Sequence, residues 1–398
     1  MSGAGAGTRD ASGGGPVFPR LRVALVGDYP RIEDAIHEGG VQSVTHQLAH
    51  ALARRDDVEC HVVCATRGVI ERDTRRGALQ VHFIPRLPLP RLATARLHDV
   101  PRLVRAIRAL RPDIVHGQGQ TRHGLAAVRS GLPTVVTPHG VIYFESRRLQ
   151  RHALDAVGAL KRRLMDRNER EVFRRARDMI LISPYLREAY GPMLTARTHY
   201  VDNPIEPVFF DLPRDPEPGR LLFAGTVVPR KCVPDLVAAV AHLGRPEVRL
   251  RIAGPLADPA SVDRVRRVAA QHELAERVVL TGALSQAEML EEYRRAEILL
   301  LASREETSPL VIAQAMACGL PVVASAAGGV PHMVRDGETA LLFPFGDVRA
   351  CADRIRRLLD EPDRRERMAT QARVEARRRF HPEAVAAQTV AVYREMLK

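Results

Sequence analysis

The densest run of residues able to do chemistry is Ser303-Arg-Glu-Glu306-Thr-Ser308-Pro309-Leu310-Val-Ile-Ala-Gln314. Pro is tolerated in the first turn of a helix, so Pro309 predicts a helix opening near Ser308 or Pro309. Gln314 then lies about two turns along, and the Glu306 and Gln314 side chains span roughly 12 Å. That length suits a nucleotide-sugar: one end meets the sugar, the other the ribose, and the diphosphate lies beside the helix N-terminus, where free N–H groups favour anions. Taken alone, the same stretch also reads as a surface glutamate ahead of a buried helix. Downstream, Ala327-Gly328-Gly329-Val330-Pro331 supplies a second backbone turn.

Three further constellations carry the same theme. Gly225-Thr226-Val-Val-Pro-Arg230-Lys231 follows an apolar strand, and adjacent cations on a turn above a cleft suit a diphosphate, or are surface charges ahead of a helix. Gly39-Gly40 opens a helix after the first strand, where glycine lets backbone approach a phosphate or simply makes a tight turn. His139-Gly140 follows the strand Thr134–Thr137, and side chains at that end of a parallel strand face the ligand crevice. A histidine there donates to substrate oxygens or moves a proton near neutral pH, unless it is a structural turn residue. His116 has the same topological place with a weaker claim. No G-x-G-x-x-G fingerprint is present, so a nicotinamide or flavin enzyme loses its main support.

The elements that must position these residues alternate strand and helix. Leu21–Val26, Val58–Val63, Val81–Ile84, Ile114-Val115, Thr134–Thr137 and Met179–Ile182 read as strands. Helices separate them, the first with apolar positions Val41, Val44, Leu48 and Leu52. Five prolines between 203 and 219 read as a linker. A second series starts at Arg220–Gly225 and continues with strands at 249–253, 278–281, 297–302 and 321–325. The expected architecture is α/β, two Rossmann-like doubly wound parallel-sheet domains facing across a cleft. The 398 residues divide into a disordered tail (1–18), a first domain (19–203), a linker (204–219), a second domain (220–381) and a terminal helix (382–398) that crosses back to brace the first domain.

Charge is concentrated. Of a net +13, residues 86–178 hold 20 Lys and Arg against 8 Asp and Glu, and the rest of the chain is nearly neutral. In the helix 101–110, Leu103, Val104, Ile107 and Leu110 alternate with Arg102, Arg105 and Arg108. Such a face is solvated, or meets an anionic membrane, or recognises a phosphorylated substrate. Aromatics at 4%, no Trp and no recognition motif argue against nucleic acid. Five scattered Cys point to reduced thiols in a cytoplasmic enzyme, peripheral on the inner membrane face if the basic surface binds lipid. No metal-ligand spacing accompanies Cys60 and Cys64, and no apolar run or N-terminal leader predicts a membrane span or secretion.

From about Leu21 to Lys398 the chain resembles the family-4 retaining glycosyltransferases of GT-B fold. The resemblance rests on features in order: Gly39-Gly40, His139-Gly140, Ile182-Ser183, Val201-Asp-Asn203, Gly225 with Lys231, Ile252-Ala-Gly254, Val279-Leu-Thr-Gly282, Glu306 with Gln314, Gly328-Gly329, and Asp336 through Leu342. It implies that Glu306 holds the donor-sugar hydroxyls and His139 contacts the sugar. Pro309 and Leu310 bring backbone to sugar and phosphate, with Leu310 as the N–H donor because Pro has none. Lys231, helped by Arg230, neutralises the departing diphosphate, and Gly40 meets the same phosphates from the other domain. Gly39, Gly225, Thr226, Gly254, Gly282, Ser308 and Gln314 complete the implied donor site. Neither metal nor organic cofactor is implied. The expected reaction is hexose transfer from a UDP-sugar, or second a GDP-sugar, to a glycan, lipid-linked or small-molecule acceptor.

Four positions depart from the family pattern. Gln314 replaces its second glutamate, Thr226 an arginine, Cys232 a glycine and His332 another glutamate. A neutral amide bonds ribose hydroxyls more weakly than a carboxylate, so Gln314→Glu is expected to tighten nucleotide binding. The competing readings are a nucleotide-sugar-binding protein without transfer activity and a GT-B epimerase. A paired-carboxylate hydrolase fits poorly, because Glu305 and Glu306 are adjacent and cannot flank one bond.

Overall fold

The computed structural model describes residues 20–31, 39–66, 72–86, 97–141 and 156–398; the expected tail at 1–18, and the parts of the basic stretches at 87–96 and 142–155, lie outside them. Two sheets organise the chain. The first has eight strands: β1 (Leu21–Val26), β2 (Val58–Thr66), β3 (Arg72–Arg76), β4 (Leu79–Pro85), β5 (Ile114–Gln118), β6 (Thr134–Thr137), β7 (Asp178–Leu181) and β8 (Arg197–Tyr200), in the order β3-β4-β2-β1-β5-β6-β7-β8. All neighbours are parallel except the β3–β4 hairpin at the edge. Val23 pairs with Cys60 on one side and Ile114 on the other, so β1 is central. That is why its sequence is an uninterrupted apolar run apart from Arg22.

The second sheet runs β11-β10-β9-β12-β13-β14, with β9 (Arg220–Ala224), β10 (Arg249–Ala253), β11 (Val278–Gly282), β12 (Ile298–Leu301), β13 (Val322–Ser325) and β14 (Leu341–Phe343), all parallel. In each sheet the order reverses beside the first strand of its domain, β1 or β9. Loops leaving the carboxyl ends there open a crevice.

Helices cover both sheets. Those of the first domain are α1 (Gly40–Ala53), α2 (Val100–Leu110), α3 (Arg122–Arg129), α4 (Ala156–Arg175) and α5 (Tyr185–Tyr190). Those that follow are α6 (Val233–Leu243), α7 (Pro259–Gln271), α8 (Gln286–Arg295), α9 (Leu310–Cys318), α10 (Val330–Met333), α11 (Val348–Asp360), α12 (Pro362–Phe380) and α13 (Pro382–Met396). In α1, Val44, Leu48 and Leu52 are buried as the spacing predicts, but Val41 is exposed and faces the cleft instead of the core. The difference follows from its place in the first turn of α1, beside Gly39 and Gly40 on the cleft wall.

The terminal helices divide between the domains. Met368, Ala372, Ala376 and Phe380 of α12 join the core of the second sheet, while Val385, Ala386, Val390 and Tyr393 of α13 join that of the first. Pro382, in the first turn of α13, makes the break without losing a helical hydrogen bond. The proline-rich stretch is no free tether: Ile205 and Phe209 are buried in the second core, Phe209 edge-on to Tyr293 at 5.0 Å. Further ties close the domains on each other. Arg379 forms a bidentate pair with Asp202 at 2.8 and 2.9 Å, and the Tyr185 hydroxyl donates to Glu305 at 3.0 Å.

Two of the three α2 arginines seen as a basic outer face are tied to backbone. Arg108 donates to the Ser130 carbonyl at 2.9 Å and Arg102 to that of Pro85. No described helix is long and apolar enough to cross a membrane.

Candidate active site

A cleft of about 1480 Å³ lies between the sheets, lined from the first domain by Gly39, Gly40, Ser43, His139 and Gly140 and from the second by Gly225 through Lys231, Glu305 through Leu310, and Gln314. Two helix N-termini meet there. Gly39 precedes α1 with φ 140°, a value that favours glycine, and a Cβ placed on Gly40 would sit 3.4 Å from the Leu310 side chain at the first position of α9. Pro309 caps α9 in extended conformation, so Leu310 supplies the backbone N–H that Pro309 lacks.

Beside these termini lies a charged knot. Lys231 and Arg230 sit on a 3-10 turn after β9. Lys231 Nζ donates to Glu306 Oε1 at 2.6 Å, and Arg230 Nη1 donates to the same oxygen at 3.2 Å. Lys231 and Glu306 are 8% and 7% exposed, dry enough for their charges to interact strongly. Burial opposes the Glu306 charge, yet Lys231 and then Arg230 more than offset it, and the carboxyl stays below its usual range. Arg230 therefore reaches the cleft, although Thr226 stands where the family pattern has arginine. The turn ends on Cys232 at φ 47°, ψ 40°, a left-handed conformation that glycine adopts at lower cost than cysteine.

Backbone packing holds the loop that carries Glu306. Gly329 N–H donates to the Glu306 carbonyl at 2.7 Å, and a Cβ on Gly328 would lie 2.2 Å from that same oxygen. The Gly328-Gly329 turn thus works by letting two backbones touch. Gly254 acts likewise one layer back, where a Cβ would lie 2.3 Å from the Gly225 carbonyl. Gly225 lines the cleft, whereas Gly254 and Gly282 do not. Both lie outside its lining, at the ends of β10 and β11: Gly254 N–H donates to the Gly282 carbonyl at 3.0 Å, and Gly282 itself turns the chain at φ 73°.

His139 sits half-buried at the cleft, its Nε2 bonded to Gln118 Oε1 at 2.7 Å. An amide oxygen only accepts, so Nε2 carries the proton. Burial pushes the His139 pKa down to about 4, so the ring is neutral at pH 7. It serves as a hydrogen-bonding group, and the neutral-pH proton carrier considered from sequence is set aside. Gln118 Nε2 continues to His116 at 3.1 Å, and His116 to the Tyr393 hydroxyl of α13 at 2.7 Å. His116 is buried behind the cleft, and its role is to support.

Gln314 lines the cleft as expected, but its amide already has partners: Nε2 donates to Glu206 at 3.0 Å, and Oε1 accepts from the Tyr293 hydroxyl at 3.0 Å. Glu206 also lines the cleft, and sequence reasoning missed it inside the proline-rich stretch. Ser308 lies at the cleft with its hydroxyl 3.8 Å from the Met333 sulfur, and His332 reaches across the domains to within 3.7 Å of Glu188. Among the described residues, no group of three or more His, Cys, Asp or Glu is placed to hold a metal ion.

Comparison with known proteins agrees with this geometry. The family model described as Glycosyltransferase Family 4 matches residues 38–209, and that described as Glycosyl transferases group 1 matches residues 205–375. The D-inositol 3-phosphate glycosyltransferase of Streptomyces bingchenggensis is 34% identical over 185 residues, covering 44% of this chain and 40% of that protein. Its namesake in a Nocardioides species is 36% identical over 188 residues, covering 44% and 41%. The matched region is thus about two-fifths of these relatives' length. Among solved structures, sucrose-phosphate synthase from Thermosynechococcus elongatus superposes with TM-score 0.77 at 24% identity, covering 95% of this chain and 99% of its own. Anabaena HepE, in complex with UDP and glucose, gives TM-score 0.70 at 17% identity over 94% and 99%. With consecutive matches to both halves and two parallel-sheet domains around one cleft, the chain belongs to the family-4 glycosyltransferases of GT-B fold.

Proposed function

We propose that this protein transfers a hexose from a nucleoside-diphosphate sugar to a glycan, lipid-linked or small-molecule acceptor. The proposal includes retention of anomeric configuration, no need of a metal ion, and a UDP-sugar donor ahead of a GDP-sugar. The observation that carries it is the meeting of two helix N-termini, one from each domain, beside Lys231 and Arg230. As the sugar–phosphate bond breaks, negative charge gathers on the departing diphosphate. Preorganised N–H groups and cations at that point stabilise the transition state more than the ground state. Lys231 and Arg230 supply the charge, with Gly40 and Leu310 adding backbone N–H groups from opposite sides. Glu306, held by Lys231, is the acceptor for sugar hydroxyls, and neutral His139, whose Nε2–H is taken by Gln118, accepts from the same sugar through Nδ1. Gly225, Thr226, Ser308 and Pro309 shape the wall. The HepE complex with UDP and glucose supports a UDP-sugar donor, and the curated relatives, named for a phosphorylated cyclitol, support a small polar acceptor.

The test is Glu306→Ala. Turnover should fall about a hundredfold or more, in line with loss of one transition-state contact, while nucleoside-diphosphate affinity stays within a few-fold. Equal loss of both would overturn the sugar-side assignment of Glu306. Nucleotide-sugar binding by the unaltered protein with no transfer to any acceptor would favour the non-catalytic reading.

A further inference from the structure

In the corner of the cleft where α9 carries Gln314, the carboxylate belongs to another residue. Glu206 is 8% exposed and lines the cleft. Its Oε2 accepts from Gln314 Nε2 at 3.0 Å and its Oε1 from the Ser43 hydroxyl of α1 at 2.5 Å. Gln314 is fixed from its other side by the Tyr293 hydroxyl. Burial first, then Cys318 and Glu206, raise the Tyr293 pKa well above its ordinary value, so the phenol keeps its proton and donates. Tyr293 is itself held edge-on by Phe209, three residues beyond Glu206. The chain Tyr293–Gln314–Glu206 is therefore a directed relay of donors ending on a carboxylate.

A carboxylate has about four acceptor positions, and protein donors occupy two of Glu206's, one on each oxygen. The remainder suits a vicinal diol, which offers one hydroxyl to each oxygen. We propose that Glu206, and not the residue at 314, binds the ribose 2′ and 3′ hydroxyls of the donor, with Gln314 as the residue that positions it. This rests on the nucleotide-sugar reading above. It also accounts for glutamine at 314: a glutamate there would set two carboxylates about 3 Å apart in a dry corner, where like charges cannot both ionise at low cost. The sequence-based expectation for Gln314→Glu is thereby reversed, from tighter to weaker nucleotide binding.

The experiment is calorimetric titration with UDP, GDP and ADP and with their 2′-deoxy counterparts. The proteins are the unaltered chain, Glu206→Gln, Gln314→Glu, the double variant carrying both, and Ser43→Ala. Glu206→Gln should weaken ribonucleotide binding about tenfold or more, the scale of a charged hydrogen bond, and bring the ribo-to-deoxy affinity ratio towards one. Gln314→Glu should also weaken binding, the double variant, which still lacks the carboxylate at 206, should stay weakened with a ribo-to-deoxy ratio near one, and Ser43→Ala should keep the ratio. An unchanged ratio in Glu206→Gln would overturn the proposal, as would tighter binding by Gln314→Glu, which decides the question even if Glu206→Gln fails to fold. Failure of all three diphosphates to bind the unaltered chain would overturn the nucleotide-sugar reading and this proposal with it. Binding without ribo/deoxy discrimination would overturn the Glu206 assignment alone.

Discussion

Gly329→Ala isolates the positioning of Glu306 from its chemistry. Gly329 has φ −80°, ψ −5°, a conformation open to any residue, so the substitution acts through space alone. The added Cβ would lie 1.8 Å from the Thr307 carbonyl oxygen and 2.8 Å from the Ser183 hydroxyl, where ordinary contact begins near 3.4 Å. The serine can rotate away. The carbonyl is backbone, so the two turns must part by about 1.6 Å, and the Gly329 N–H to Glu306 carbonyl bond at 2.7 Å stretches with them. Shared between the loops, that moves Glu306 by somewhat under 1 Å, and displacements of about 1 Å in a reacting constellation cost about a hundredfold in rate. Overpacking adds about 1–3 kcal/mol of destabilisation, which leaves an ordinary domain folded. Steady-state transfer rates, nucleoside-diphosphate titration and a urea unfolding curve should show kcat down about a hundredfold, nucleotide affinity within about threefold and a lower unfolding midpoint. Transfer within about threefold of the unaltered rate would refute the argument that this backbone contact places Glu306.

Two other perturbations are read in stability alone. Cys232→Gly removes the penalty of holding a side chain at φ 47°, and should raise stability by about 1 kcal/mol in urea unfolding; a lower midpoint would mean that the Cys232 side chain contributes more than its backbone costs. Burial holds His116 down at about 3 and His123 at about 4, against an ordinary 6.5. Between those values the unfolded chain binds protons the folded one does not, so stability falls as pH drops below about 6.5, at up to about 2–3 kcal/mol per pH unit from these two histidines. An unfolding midpoint that stays level from pH 7 to 5 would contradict their buried, neutral state.

Much of the fold was legible because parallel strands buried on both faces announce themselves. Leu21–Val26 and Ile298–Leu301 are apolar runs that end in turns, and helices with periodic apolar faces separate them. The strands that were missed lie at or near sheet edges, where a strand need not be apolar. β3 reads Arg-Asp-Thr-Arg-Arg and β8 reads Arg-Thr-His-Tyr, while β14, Leu-Leu-Phe, is apolar but only three residues long. At the site, the residues carried by motif spacing, Gly40, Lys231, Glu306 and Leu310, come together in one cleft. Glu206 did not stand out because its neighbours Ser43 and Gln314 are 163 and 108 residues away: packing of the proline-rich stretch into the second core brings it to Gln314, and the closing of the first domain adds Ser43. The neutral state of His139 is equally a property of the folded chain, since its desolvation comes from the domain around it. Gly254 shows the converse: its motif position was legible, but it packs backbone on backbone against Gly225 one layer behind the cleft.

In the proposed reaction, cations of the second domain, Lys231 foremost, take the charge of a departing nucleoside diphosphate. Its most direct test is calorimetric titration of UDP, with GDP alongside, into the chelator-treated protein and into Lys231→Ala. The expected result is saturable binding of one diphosphate that EDTA leaves unchanged and that Lys231→Ala weakens by about tenfold or more. Binding that requires an added divalent ion, or that survives loss of Lys231 undiminished, would contradict it.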